Sequence, residues 1–171
     1  MRGTFEDKQP VIHETAWVHP LACVVGDVHL GESVSVWPCA VIRGDEGHIV
    51  VGRDSNIQDC AVLHTDDLLE VGENVTIGHG AVVHGRKVGN NVVIGINSTV
   101  LEFAEIGDNC IVAANALVPP NMKVPANSLV MGVPGQVRPL ADKHLKDLGW
   151  QARLYSDMAR RYRKNSVMTA G

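Results

Sequence analysis

The sequence predicts an all-β chain, a parallel β-helix of hexapeptide repeats followed by a C-terminal α-helix. Three observations carry this reading. Aliphatic residues recur every six positions through most of the chain, and a small or apolar residue stands four places after most of them. Gly and Asn cluster where tight corners are needed, as in Gly89-Asn90-Asn91 and Asp108-Asn109, because both tolerate positive φ.

The repeats run in order along the chain. Ile12, Val18, Val24, Leu30, Val36 and Ile42 form the first series. Val51, Ile57 and Leu63 form the second, Val71, Ile77 and Val83 the third, and Val88 to Val130 continue in steps of six. A six-residue period matches neither a 3.6-residue helix nor alternating free strands. It suits a coil in which each hexapeptide supplies one short strand and one corner. Three hexapeptides make a triangular turn, so equivalent residues stack about 4.8 Å apart. Roughly six turns are expected, and a β-sandwich does not account for so many in-register aliphatics.

The period breaks in three places. Ile42 to Val51 holds three extra residues, expected to loop out; Leu63 to Val71 holds an insertion with Asp66 and Asp67; Val83 to Val88 is one residue short. Loops leaving a rigid scaffold are where function collects. The expected organisation is a β-helix over residues 1–136, a helical segment over 137–165 and a disordered tail over 166–171. The helical segment has apolar residues at Leu140, Leu145, Leu148, Ala152, Tyr155, Met158, Ala159 and Tyr162, interrupted near Gly149-Trp150.

Composition narrows the function classes. A net charge of −4 argues against nucleic-acid binding, and no apolar run approaches membrane-spanning length. There is no charged-then-apolar leader at the N-terminus, and the four cysteines lack CxxC spacing. Cys39, Cys60 and Cys110 read as buried free thiols, and a reducing, cytoplasmic home is the expectation.

Register places the candidate site. Ile42, Leu63 and Val83 share one side of the prism, so Arg43, His64 and His84, each following one of them, form a column. Ile57 and Ile77 share another side, which puts Asp59 and His79 in a second column. Neutral imidazoles one turn apart suit zinc, with ferrous iron or cobalt(II) also accepted. His79 joins His64 and His84 only if one subunit's second column meets its neighbour's first, a head-to-tail contact that closes as a homotrimer. Arg43 with Asp45 or Asp59 is read as an interface ion pair, and Gln58 as the group orienting a bound water. His13, His19, His29, His48 and His144 are read as surface or packed residues.

The segments Val41-Ile42-Arg43-Gly44-Asp45-Glu46, Asn56-Ile57-Gln58-Asp59, Leu63-His64 and Ile77-Gly78-His79-Gly80-Ala81-Val82-Val83-His84-Gly85 together resemble a γ-class carbonic anhydrase. The resemblance spans about Pro10 to Arg138 and is to compact members without the long acidic loop. It implies a left-handed β-helix trimer with one metal per interface, held by His64, His79 and His84. It also implies site roles for Asn56, Gln58 and Asp59, for Glu46 in proton transfer, and for Tyr155 near the metal.

The leading functional expectation is reversible CO2 hydration, in which a metal lowers the pKa of bound water to about 7 and supplies hydroxide. A proton then leaves through Glu46 or buffer. The competing readings are an acyl-CoA thioesterase or other metal hydrolase on the same site, a hexapeptide acyltransferase, and a non-catalytic trimeric scaffold.

Overall fold

The computed structural model describes residues 1–145 and 148–165; the tail expected to be disordered, 166–171, lies outside them. The chain winds as a left-handed parallel β-helix with three faces. The first face holds β1 (Arg2–Gly3), the first halves of β4 (Cys23–Leu30) and β6 (Val41–Val51), then β8 (Val62–His64), β11 (Val82–Val83), β14 (Thr99–Val100) and β17 (Leu117–Val118). The second holds β2 (Val11–Ile12), the second halves of β4 and β6, and then β9 (Leu68–Val71), β12 (Lys87–Val88), β15 (Glu105–Ile106) and β18 (Lys123–Val124). The third holds β3 (Trp17–Val18), β5 (Ser35–Val36), β7 (Asn56–Ile57), β10 (Thr76–Ile77), β13 (Val93–Ile94), β16 (Ile111–Val112), β19 (Ser128–Met131) and β20 (Gln136–Pro139). Only β20 runs antiparallel there, so the face has seven parallel strands, one turn more than the repeat count suggested.

The register follows the six-residue period. Ile42 pairs with Leu63, Leu63 with Val83, and Ile57 with Ile77, as the two columns require. These side chains point inward and are fully buried, with Ala40, Ala61 and Ala81 filling the narrow corners between them. Burying one such Ile or Leu contributes about 1.5–3 kcal/mol, and stacking repeats the gain on every turn. Asn91, Asn97, Asn109, Asn115, Asn121 and Asn127 all adopt positive φ at the corners.

Two expectations are corrected. The three extra residues between Ile42 and Val51 form a bulge inside a continuous strand rather than a separate loop; β6 runs eleven residues around the corner, with Asp45 to His48 facing the single residue Asp27 of β4. Gly26, at φ +80°, lies opposite Gly44 at this bend, and a Cβ there would stand 2.2 Å from the Gly44 carbonyl oxygen. Cys39 and Cys60 are exposed rather than buried, because each occupies the positive-φ corner just before the inward-facing Ala40 and Ala61. Cys110 is buried as expected, and burial pushes its thiol pKa up.

The helical segment resolves into α1 (Asp142–Leu145) and α2 (Trp150–Asn165), parted near Gly149. Helix α2 lays Ala152, Ser156 and Ala159 against β3, β5 and β7. Small residues there let the helix sit close, and an aromatic cluster locks it. Trp17 and Trp37 meet edge-on at 4.9 Å, and Trp37 meets Tyr155 at 5.1 Å. Among the described residues no helix is long and apolar enough to cross a membrane.

Candidate active site

On the first face, strand pairing stacks the first column. Arg43 lies in register with His64, and the His64 and His84 rings are parallel, 5.0 Å apart. Below them Arg43 hydrogen-bonds Asp45, whose other carboxylate oxygen is 3.3 Å from His64 Nε2. Burial alone would raise the Asp45 pKa, but hydrogen bonds from Arg43 and from the Glu46 backbone N–H outweigh it, and the carboxyl lies below its usual range. Glu46 itself is exposed and meets the site through that N–H, which donates to Asp45 Oδ1 over 3.1 Å.

The insertion after His64 places Asp66 across both imidazoles. Its oxygens are 3.8 Å from His64 Nε2 and 3.7 Å from His84 Nε2. His84 Nδ1 faces Glu102 at 3.4 Å, while its Nε2 is buried without a hydrogen-bond partner. Two imidazole nitrogens and a carboxylate converging around an unsatisfied buried nitrogen fit a divalent cation of the zinc type. A small cleft of about 90 Å³ opens beside them, lined in part by Asp66, His84, Glu102 and Phe103.

The third face carries the second group. His79 Nδ1 is 2.9 Å from Asp59 Oδ2, and its Nε2 is 3.3 Å from the Tyr155 hydroxyl delivered by α2. An ionised carboxylate only accepts, so Asp59 holds the ring proton on Nδ1 and leaves Nε2 basic toward the phenol. Burial, with the Asp59 charge adding to it, raises the Tyr155 pKa, so the hydroxyl keeps its proton and donates. Gln58 Nε2 donates to Asn56 Oδ1 over 3.1 Å, and Asn56 Nδ2 donates to Thr76 Oγ1 over 3.0 Å. Both amides are buried, which fixes the way Gln58 faces.

Within one chain, then, the sequence-selected residues fall into two groups. Arg43, Asp45, His64 and His84 gather on the first face; Asn56, Gln58, Asp59, His79 and Tyr155 gather on the third. Asp59 is paired with His79, and Arg43 with Asp45. Sequence reasoning missed Glu102 and Thr76. Thr76 was legible, since it precedes Ile77 as Asn56 precedes Ile57 and the two are in register.

Comparison with known proteins agrees with the hexapeptide level of the resemblance. The family of bacterial transferase hexapeptides (six repeats) matches residues 9–44 and 87–120. The carnitine operon protein CaiE of Escherichia coli K12 is 40% identical over 162 residues, covering 92% of this chain and 82% of that protein. Among solved structures, a hexapeptide transferase family protein from Anaplasma phagocytophilum superposes with a TM-score of 0.90 at 32% identity, covering 94% of this chain and 97% of that one. A candidate acetyltransferase from Bacillus cereus gives 0.92 at 31% identity, covering 96% and 98%. The two solved structures carry transferase names, and none of the three relatives is named a carbonic anhydrase.

Proposed function

The chain belongs to the bacterial hexapeptide transferase family, and from that premise we propose that it transfers an acyl group from a thioester such as acetyl-CoA. The observation that carries this reading is His79, held between the Asp59 carboxylate and the Tyr155 hydroxyl. Acyl transfer needs one imidazole with its basic nitrogen free to take a proton, and a carboxylate behind it to fix the tautomer and stabilise the imidazolium. His79 Nε2 removes the proton from an acceptor hydroxyl, amine or water as that group attacks the thioester carbonyl carbon. The C–S bond then breaks and the thiol leaves. Tyr155, neutral and donating, positions the imidazole until the acceptor takes its place. Where a neighbouring subunit's first face meets His79, the small cleft beside that subunit's His84 would suit a short acyl chain.

A second reading is favoured by the His64–His84 pair and its unsatisfied Nε2. In a head-to-tail homotrimer, His79 of one subunit completes a three-histidine set with the His64–His84 column of the next. Those residues would hold zinc, iron(II) or cobalt(II), which supplies a Lewis acid that brings the pKa of water to about 7. Reversible CO2 hydration of the γ class is the reaction such a site suits, with Gln58 orienting the nucleophile from its fixed amide and Glu46 passing the proton to solvent.

Thiol release from acetyl-CoA, with and without an amine or hydroxyl acceptor, tests the first reading on protein of measured metal content. His79→Ala should lower the rate by about 10²–10⁴-fold, the usual contribution of a general base. A wild-type protein that hydrates CO2 in a stopped-flow indicator assay but leaves acetyl-CoA intact would replace the first reading with the second.

A further inference from the structure

We propose that Asp27, His29 and His48 form a separate binding site for a first-row divalent transition metal on the second face. None of the three belongs to the two columns, and the sequence alone reads both histidines as surface or packed residues.

The site arises from the way the chain turns its first corner. Strand β4 pairs with β6 up to Gly26–Gly44, and the register then shifts so that Val28 meets Ile49. One residue of β4, Asp27, thus spans the distance taken by four residues of β6, Asp45 to His48. Val28 and Ile49 point into the core and are fully buried. Their neighbours Asp27, His29 and His48 therefore point outward on one patch, since successive side chains alternate across a strand. His48 is anchored by its backbone N–H, which donates to the Asp67 carbonyl over 2.8 Å.

Three donors converge there. Asp27 Oδ1 is 2.9 Å from His48 Nδ1 and 3.7 Å from His29 Nε2, and the two rings meet edge-on at 4.8 Å. All three ligand atoms lie within 4.8 Å of one another. Metal–nitrogen and metal–oxygen bonds of about 2.0–2.2 Å at near-tetrahedral angles set neighbouring donors roughly 3.3 Å apart. The two Asp27 separations, 2.9 and 3.7 Å, bracket that value, so small side-chain rotations bring all three onto one ion. Two imidazoles and one carboxylate suit zinc, nickel, cobalt or iron(II) better than calcium or magnesium, which prefer oxygen. With three protein ligands the ion would keep open positions for water or a small anion, and it would clip β4 to the β6 bulge.

Chelator-stripped protein titrated with zinc chloride, followed calorimetrically and by elemental analysis, tests the site. In a His64→Ala/His84→Ala background, which removes the interface column, one zinc per chain should still bind. Adding His48→Ala should abolish it, and Asp27→Asn, which keeps the side-chain shape, should weaken it by at least about tenfold. In the otherwise native protein, His48→Ala should lower the bound zinc by one equivalent per chain. Zinc binding by the double-background protein that is unchanged by both His48→Ala and Asp27→Asn would overturn the proposal. So would failure of that protein to bind zinc while circular dichroism shows it folded.

Discussion

His19 shows how one buried side chain sets a pH limit on the fold. It lies beneath the aromatic cluster, almost wholly buried, and its Nδ1 accepts the Leu21 backbone N–H at 3.1 Å. Burial lowers its pKa, with the Asp59 charge opposing the shift. The unfolded chain therefore binds a proton near pH 6.5 that the folded chain refuses. Stability from neutral His19 is present above about pH 6.5 and is lost as pH falls toward the lowered folded value. His19→Asn keeps an acceptor for Leu21 and removes the titration. The urea midpoint of this variant should fall less than that of the wild type between about pH 7.5 and 5.5. An equal fall in both proteins would mean that His19 does not set the acid limb. At this scale the sequence was legible where register decides position, as for Arg43, His64, His84, Asp59 and His79. The register was silent where position depends on a bulge or on a distant helix, and Tyr155 was placed near the site only by the family resemblance. Asp27 and His48 meet only because the β4–β6 register shifts, and the Tyr155 hydroxyl reaches His79 only because α2 folds back.

Among the elements, α2 links the fold to the chemistry. The apolar spacing from Leu140 to Tyr162 announces an amphipathic segment, but spacing does not say which face of the prism it covers. The two tryptophans of β3 and the β5 corner decide that, because their rings leave the narrow core and need a cover. Ala152 has no exposed surface and lies on the helix face that covers the sheet. Ala152→Glu would bury an unpaired charge at a cost of roughly 3 kcal/mol or more, so the helix should undock. The expected result is a red shift of the Trp17 and Trp37 fluorescence, loss of acyl-transfer activity through displaced Tyr155, and a retained β-sheet signal by circular dichroism. Unchanged activity with an undocked helix would remove Tyr155 from the site. The same reasoning explains why β6 was misread as a loop. A nine-residue step looks like an inserted loop in sequence, whereas the three extra residues form a bulge within β6, beside the facing Gly26 and Gly44 where both strands bend.

At the scale of the whole molecule, the proposed homotrimer would join two incomplete half-sites carried by different faces of the chain. The first face presents His64 and His84 with Asp66; the third presents His79 with Asp59 and Tyr155. A triangular prism cannot bring two of its own faces together, but a ring of three prisms brings each face against its neighbour's. The prism and its columns were readable because a six-residue period fixes both spacing and direction. The reaction was less readable, because the same columns serve an imidazole base and a metal ligand set, and family membership weighs toward transfer. Mixing His64→Ala and His79→Ala chains tests the claim most directly. Each variant alone should lack bound interface metal. Unfolded, mixed equally and refolded, a site is whole only when its His64–His84 column comes from the His79→Ala chain and its His79 from the His64→Ala chain. Random assembly gives that with probability one half times one half, so about a quarter of the wild-type interface metal should return. No recovery in trimers whose mixed composition is confirmed by mass would contradict the shared site.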